Sequence, residues 1–326
     1  GTLFPPDTGG RKRTWAMLRE IVRAGHELHY LALKTPDVTI TDEEKHDRYA
    51  TRKTWIDHRE AAKGSPAFFL DLLGNFTLSR RPYVLDRYRC DAWREAIEQH
   101  AKAADVVVCD FLTPAPNFEG LRLSCPVVLF QHNIESQIWK RLADTAGNAV
   151  KRAYLASQYR RMWRAEKELS EGFEGIITVS PEDSAFCREQ YQLRRVLGDV
   201  PTGVDVDAFQ PPAKPAAAPV IGFLGSMDWM PNIDGVLWFA REVLPKVREQ
   251  MPDVRVKIIG RNPPASIRAL AADLAIEVTG TVPEVQPHVH GCRVIAVPLL
   301  AGGGTRIKIF EAMAMGVPVV TNQSGI

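Results

Sequence analysis

The segment richest in potential chemistry lies near the end of the chain: Pro298-Leu-Leu-Ala-Gly302-Gly303-Gly304-Thr305-Arg306-Ile-Lys308-Ile-Phe-Glu311-Ala-Met-Ala-Met-Gly316-Val-Pro318. An apolar run ends near Leu300, three glycines follow, and a helical pattern opens with Thr305 in the N-cap place. Glycines let backbone amides come close to an anion, and a helix N-terminus favours negative charge. Arg306 and Lys308 carry the wrong sign for a first helical turn. Two cations there cost about 0.3–1 kcal/mol each unless something anionic sits between them, and a diphosphate reverses that term. The competing reading is a solvated basic patch in which Lys308 and Glu311 form an i,i+3 surface pair. Glu311 falls on the same helix face as Lys308, and a carboxylate there can accept two hydroxyl hydrogen bonds, as a ribose diol offers. Its other reading is an ordinary solvated helix residue.

Two further groups stand near the start of elements. Gln131-His132-Asn133 follows the apolar run Val127–Phe130, so His132 sits at a strand end. A neutral imidazole there can hydrogen-bond a ligand hydroxyl and stabilise developing charge; the alternative is a capping or core histidine. Gly9-Gly10-Arg11-Lys12-Arg13 opens a helix. Either its glycine amides approach an anion such as a phosphate, or its cations form a solvated cap. No metal site is expected. His288 and His290 are two apart without a carboxylate motif, and Cys90, Cys109, Cys125, Cys187 and Cys292 are too scattered for a zinc knuckle or a redox pair. Such cysteines suit buried thiols in a reducing compartment.

The elements that must position these residues alternate. Short Val/Ile-rich runs at Leu28–Leu33, Val106–Leu112, Val127–Phe130, Ile176–Val179, Val220–Leu224, Val254–Ile259, Val294–Leu300 and Val317–Val320 read as strands buried on both faces of parallel sheets. Helical patterns at Arg11–Ala24, Asp91–Ala103, Val150–Glu171, Ile233–Gln250 and Pro264–Leu274 lie between them, which predicts doubly wound α/β layers. At 326 residues the chain has room for two domains. The proline-dense stretch Pro211–Pro219 reads as the spacer, giving domains at 1–210 and 211–326. Thr35–Glu60 is polar and aperiodic, and a long loop or short helices are expected there. With 41 Lys+Arg against 39 Asp+Glu, no whole-chain field exists to draw in nucleic acid. No apolar run reaches the roughly 18 residues of a membrane span. The basic amphipathic stretch 151–168 has two readings, a peripheral contact with an anionic membrane or a helix packed on its own domain.

Taken in order, several segments resemble family 4 retaining glycosyltransferases of the GT-B fold. Glu311 to Val320 matches their Glu-Ala-Met-Ala-x-Gly-x-Pro-Val-Val motif. Pro5 to Gly10 is similar to their amino-terminal glycine loop, Val179-Ser180 with Glu182-Asp183 to a segment late in the first domain, and Pro201-Thr-Gly203-Val204-Asp205 with Phe209 to the inter-domain signature. Ile221-Gly-Phe-Leu-Gly225-Ser226 resembles the first strand and turn of the second domain, and Gly280-Thr-Val282 the turn that contacts the base. Two departures stand out. A Glu that commonly contacts the donor sugar is Gly303 here. The Arg and Lys commonly found after the second domain's first strand are absent, since Ser226 follows Gly225 and Met227 to Asn232 contains no Lys. Arg306 and Lys308 are therefore expected to take over neutralisation of the diphosphate.

The resemblance implies two facing Rossmann-like domains. It also implies a UDP- or GDP-sugar donor with no further cofactor and no metal, and transfer with retention to a glycan or lipid-linked acceptor. Gly9, Gly10, Gly225, Ser226, Val282, Gly302, Gly303, Gly304 and Thr305 would contact the donor, with His132, Arg306, Lys308 and Glu311 doing the chemistry. The variant pattern resembles enzymes of bacterial exopolysaccharide and envelope synthesis, which implies a cytoplasmic protein, peripheral to the inner face of the membrane where the acceptor is lipid-linked. Two other functions fit the same fold: a nucleotide-sugar 2-epimerase, which Gly303 disfavours by removing a carboxylate, and a non-catalytic nucleotide-sugar-binding subunit. The family pattern also implies a first strand before Gly1 and a further strand and helix after Ile326.

Overall fold

The computed structural model describes every residue except 1, 5, 7, 8, 63, 301–305 and 323–326. The chain divides into two compact units, Gly1–Pro201 and Thr202–Ile326. Both are α/β, and every strand pair is parallel.

In the first unit β1 (His29–Lys34) pairs with β2 (Arg52–Asp57), with Leu31 opposite Thr54 and Leu33 opposite Ile56. A second sheet runs in the order β3 (Val107–Asp110), β4 (Val127–Phe130), β5 (Gly175–Thr178), β6 (Val196–Asp199). Its strands are short and apolar because helices cover them. Cys109, Leu129 and Ile176 are buried in one core with Met162, Ala165 and Leu169 of the helix Ala149–Glu171. That helix turns Leu155, Met162 and Leu169 inward, so the basic stretch 151–168 packs its apolar side on its own unit.

The second unit carries β7 (Val220–Leu224), β8 (Arg255–Ile259), β9 (Ile276–Gly280), β10 (Val294–Val297) and β11 (Val319–Thr321), in the order β11-β10-β7-β8-β9. One face packs Phe223, Val256 and Ile258 against Val236 and Leu244. The other packs Ile295 and Val297 against Ala312 and Met315 of the helix Ile307–Ala314. The strand order reverses between β7 and β10, the position at which open parallel sheets hold ligands beyond their carboxyl edge.

Each of the eight apolar runs holds a strand. The differences fall on weakly patterned segments. Thr35–Glu60 contains a short helix, Asp42–His46, capped by the Thr41 hydroxyl, and a full strand, β2. No residue of β2 is fully buried, so it carries no apolar run, and its register comes from pairing with β1. β6 and β9 are edge strands with mixed composition and were likewise not expected. The helix expected at Ile233–Gln250 starts at Met230 and contains a π-helical turn, Phe239–Val243, just before Pro245, which has no N–H to return to Arg241. Pro264–Leu274 holds only a helical turn, Ala265–Arg268, and a 3₁₀ turn, Ala269–Ala272. All five cysteines are free thiols, and burial pushes Cys187 up to about 12 and Cys292 up to about 11.

Candidate functional site

In the second unit β7 runs into the turn Gly225-Ser226, followed by the helix Met230–Trp238. The turn is crowded. A Cβ on Gly225 would come within 2.7 Å of both Asn232 Nδ2 and Lys308 Nζ, and one on Gly260 would collide with the Gly225 carbonyl. Glycine at both places lets the ends of β7 and β8 approach each other and lets a lysine reach the turn.

Lys308 extends from its helix to this turn. Its ammonium donates to Asn232 Oδ1 at 2.9 Å and lies 4.9 Å from the centre of the Phe223 ring. Asn232 is 3% exposed, and its Nδ2 donates to the Ser226 carbonyl at 2.7 Å, which turns the amide oxygen toward the lysine. Burial, with Arg306 close by, pulls Lys308 down to about 7 against the opposing pull of Glu311. The reading of Lys308 as a solvated surface cation therefore does not hold. Arg306 occupies the N-cap position with its guanidinium 5.6 Å from the Trp229 ring centre, and its own side chain makes no cap bond to the helix. Thr305, expected as that cap, lies with Gly302, Gly303 and Gly304 outside the described residues. Glu311 is only 5% exposed, so it does not sit on a solvated face.

A second cation reaches the same turn from β8. Arg261 Nε donates to Ser226 Oγ at 3.1 Å and stands 3.4 Å from Asp228. Asp228 also accepts from the Ser226 hydroxyl and from Asn262 Nδ2 at 3.2 Å; the Ser226 bond, then Asn262 and Arg261, hold its carboxyl below the usual range. Further along, β9 ends at Gly280 with φ +69°, and Val282 packs on the core beside Leu224 and Ile259.

The first unit gathers its functional groups at the ends of β3 and β4. Asp110 Oδ1 takes His132 Nε2 at 2.6 Å, and Asp110 Oδ2 accepts from Thr14 Oγ1 at 2.8 Å. With the carboxylate accepting from Nε2–H, the neutral form of the ring keeps its lone pair on Nδ1. The His132 ring stacks on Phe111 at 3.7 Å and 22°, and meets Phe130 edge-on at 4.8 Å. Phe111 has φ +71°, a conformation rare outside glycine that must be held by its surroundings. One constraint is close packing: a Cβ on Gly10 would lie 3.2 Å from the Phe111 ring. Gly9 and Gly10 are the first residues of the helix Gly9–Arg23. Arg13, on that helix, donates to the Val200 carbonyl and lies 4.9 Å from the Phe130 ring; burial pulls it down to about 10, against Asp110.

Beneath His132, the fully buried carboxylate of Glu166 accepts from the Glu135 and Ser136 amides at 2.8 Å each, from the Tyr191 hydroxyl at 2.6 Å, and from the Gln131 amide. It therefore caps the helix Glu135–Asp144 and clamps the turn that carries His132. Burial raises Glu166 while these bonds oppose the rise, and burial with Glu166 pushes Glu135 up to about 7.

The structure thus gathers Gly225, Ser226 and Lys308 in one cluster, and Gly10 and His132 in another. Among the described residues no group of three His, Cys, Asp or Glu stands together as metal ligands. Asp110, Thr14, Asn232 and Arg261 escaped sequence reasoning. One signal was readable: Asp110 interrupts the apolar run Val106–Leu112, and a carboxylate there needs a partner.

A doubly wound second unit with its polar cluster at the switch point places this chain among the open α/β proteins whose ligands sit beyond the carboxyl ends of the strands. Residues 8–208 match the family model of Glycosyltransferase Family 4, and 218–326 that of Glycosyl transferases group 1. The chain belongs to Glycosyltransferase Family 4, and its fold is that of the GT-B glycosyltransferases. It is 31% identical over 164 residues to the phosphatidyl-myo-inositol mannosyltransferase of Mycobacterium tuberculosis, covering 48% of this chain and 42% of that protein. The Mycobacterium leprae protein of the same name is 31% identical over 132 residues, 38% of this chain and 34% of its own. The chain thus matches less than half the length of these relatives. Among solved structures, sucrose-phosphate synthase from Thermosynechococcus elongatus superposes with a TM-score of 0.68 at 16% identity, over 98% of this chain and 76% of that one. A glycosyltransferase from Rickettsia africae gives 0.61 at 14%, over 98% and 77%. An Anabaena protein crystallised with UDP and glucose gives 0.57 at 13%, over 92% and 82%.

Proposed function

We propose that this glycosyltransferase moves a sugar from a UDP- or GDP-sugar to a glycan or lipid-linked acceptor, with retention of anomeric configuration and without a metal. The observation that carries the reading is Lys308, a lysine drawn into the Gly225-Ser226 turn where, among the described residues, its ammonium donates to a neutral amide. In the reaction the bond between the anomeric carbon and the β-phosphate oxygen breaks, and the diphosphate leaves with the electron pair. The acceptor oxygen takes its place and its proton goes to the departing phosphate. Lys308 and Arg306, joined by Arg261, stabilise that departing charge as fixed cations, which is the role a metal has elsewhere. Glu311 takes the ribose hydroxyls and the Gly280–Val282 turn the base. In the first unit His132 offers Nδ1 to a sugar hydroxyl, oriented by Asp110, and the amides of Gly9 and Gly10 face phosphate or acceptor.

The mycobacterial relatives, named as phosphatidyl-myo-inositol mannosyltransferases, support a lipid-linked acceptor, and with it we place the enzyme at the cytoplasmic side of an envelope membrane, in exopolysaccharide or envelope glycan assembly. A thermal-shift screen of UDP-, GDP- and ADP-sugars tests the reading. One donor is expected to raise Tm as binding to the folded state requires, with EDTA making no difference and Lys308→Ala removing the shift. No shift with any donor, or a shift that Lys308→Ala keeps, overturns it.

A further inference from the structure

We propose that the helix Pro66–Leu78 and the arginines beside it form a docking face for an anionic bilayer surface. This inference needs neither donor nor acceptor and stands apart from the transfer reaction.

The helix Pro66-Ala-Phe-Phe-Leu-Asp-Leu-Leu-Gly-Asn-Phe-Thr-Leu78 is predominantly apolar, yet none of its residues is buried. Phe69 is 59% exposed, Leu70 68%, Leu73 59%, Phe76 51% and Leu78 89%. Phe69, Leu73 and Phe76 follow at i, i+4 and i+7, with Leu70 flanking, so they form one stripe on the outer side. The inner side is anchored. Phe68 meets Tyr83 edge-on at 5.6 Å, and Asn75 Nδ2 donates to Asp86 Oδ2 at 2.7 Å and to the Arg81 carbonyl at 3.2 Å. Ser65 caps the first turn through the Phe68 amide. The stripe is therefore a built feature of a fixed helix.

Its border is basic. Arg161, on the helix Ala149–Glu171, donates to the Phe76 carbonyl at 2.8 Å with its guanidinium 5.0 Å from the Phe76 ring centre. Arg164 lies one turn further along the same face and is exposed, and Arg80, also exposed, follows the apolar helix directly. Asp71 is the acid within the helix itself. From sequence alone, 151–168 had a membrane contact as one of two readings, the other being a helix packed on its own domain. The structure assigns the apolar part to 66–78 and leaves 151–168 its arginines. An apolar stripe with a cationic border is the pattern of a helix lying in a lipid interface, where side chains enter the acyl boundary and arginines meet anionic headgroups. A second copy of the chain fits less well, because a two-fold contact through this face sets Arg80, Arg161 and Arg164 against their own copies.

Co-sedimentation with vesicles tests the assignment. Wild-type protein is expected to pellet with phosphatidylcholine vesicles containing about one-third phosphatidylglycerol, and much less with pure phosphatidylcholine. Phe69→Ser/Leu73→Ser is expected to lower partitioning by about tenfold or more, and Arg80→Glu/Arg164→Glu to lower it on anionic vesicles while adding salt weakens the wild type to the same level. These side chains are exposed, so unchanged thermal melting is expected for both variants and separates lost docking from lost folding. Wild-type protein that ignores anionic vesicles overturns the proposal. So does a serine variant that still pellets, or one that converts a dimer to a monomer on a sizing column while vesicle binding stays absent.

Discussion

The polar clusters at the strand ends of the two units treat charge in opposite ways. In the first unit the charges compensate one another: Asp110, which holds His132 and Thr14, offsets Arg13, whose guanidinium rests on a carbonyl and an aromatic ring. In the second, Lys308 meets an amide, beside Arg306 and across the turn from Arg261, and burial holds its proton loosely. A compensated cluster can orient a group but has no need of a ligand. A cluster with excess positive charge in a crowded turn is completed by an anion, and the released binding energy rises as the ligand's charge grows. The largest break in the contrast is therefore Lys308→Ala, expected to lower kcat/KM by about 10²–10³-fold. Donor KM should also rise above about pH 7 as Lys308 loses its proton, by up to tenfold per pH unit, and Lys308→Arg should flatten that dependence. A pH profile of KM for wild type and variant decides it. A flat wild-type profile would remove Lys308 from the anion site.

The compensated cluster breaks differently. Asp110→Asn keeps the shape but lets the imidazole take either tautomer, so kcat is expected to fall by roughly 10²-fold with donor KM nearly unchanged. The measurement is the kcat-against-KM split, together with the melting temperature. If Asp110→Asn raises KM and leaves kcat alone, Asp110 has no part in orienting His132.

Much of this was legible before the structure, and the reason lies in what each residue interacts with. Strands buried on both faces announce themselves, so β4, β5, β7, β8 and β10 stood out as Val/Ile runs. β2, β6 and β9 are edge strands without an apolar run of their own, and the hydrogen bonds that make them strands come from neighbours distant in sequence. The same division runs through the candidate site. Lys308 was visible because it stands at the wrong end of a helix, a local contradiction. Arg261 was invisible because its meaning comes from Ser226, thirty-five positions earlier, and only the pairing of β7 with β8 brings them together. The absent arginine and lysine of the usual pattern were thus noticed, but Arg261, one of the three cations proposed in their place, was not. Exposed Phe69 and Leu73 were invisible for the converse reason. An apolar helix reads as core until the fold leaves it outside.

Arg261 sharpens the contrast at a smaller scale. Its guanidinium already has Asp228 at 3.4 Å, so a diphosphate draws it only partly away, and Arg261→Ala is expected to lower donor affinity by about tenfold. Asp228→Asn frees the same guanidinium and should tighten donor binding two- to threefold, by roughly 0.5 kcal/mol. Opposite signs for the two variants, read by titration calorimetry, distinguish a donor contact from a merely structural salt bridge. Equal loss in both would make the pair structural.

The smallest expected effect concerns the protein without donor. Folding takes Lys308 from its ordinary value near 10.5 down to about 7, so between those values the unfolded chain binds the extra proton and stability rises with pH. Below pH 7 both states are protonated and the folded state carries the whole penalty. Lys308→Met removes the charge and keeps most of the side-chain volume, so it is expected to stabilise the protein at pH 6 by about 1–2 kcal/mol, a rise in Tm of roughly 2–8 °C. The gain should fade toward pH 10, where the wild-type lysine is neutral in the folded state. Asp110→Asn should show no such gain at any pH, since its carboxylate is already paired with Thr14 and His132. Melting curves of wild type and both variants across that range test whether the excess charge belongs to the second unit alone, and a Lys308→Met variant less stable than wild type at pH 6 would mean that the lysine is satisfied where it stands.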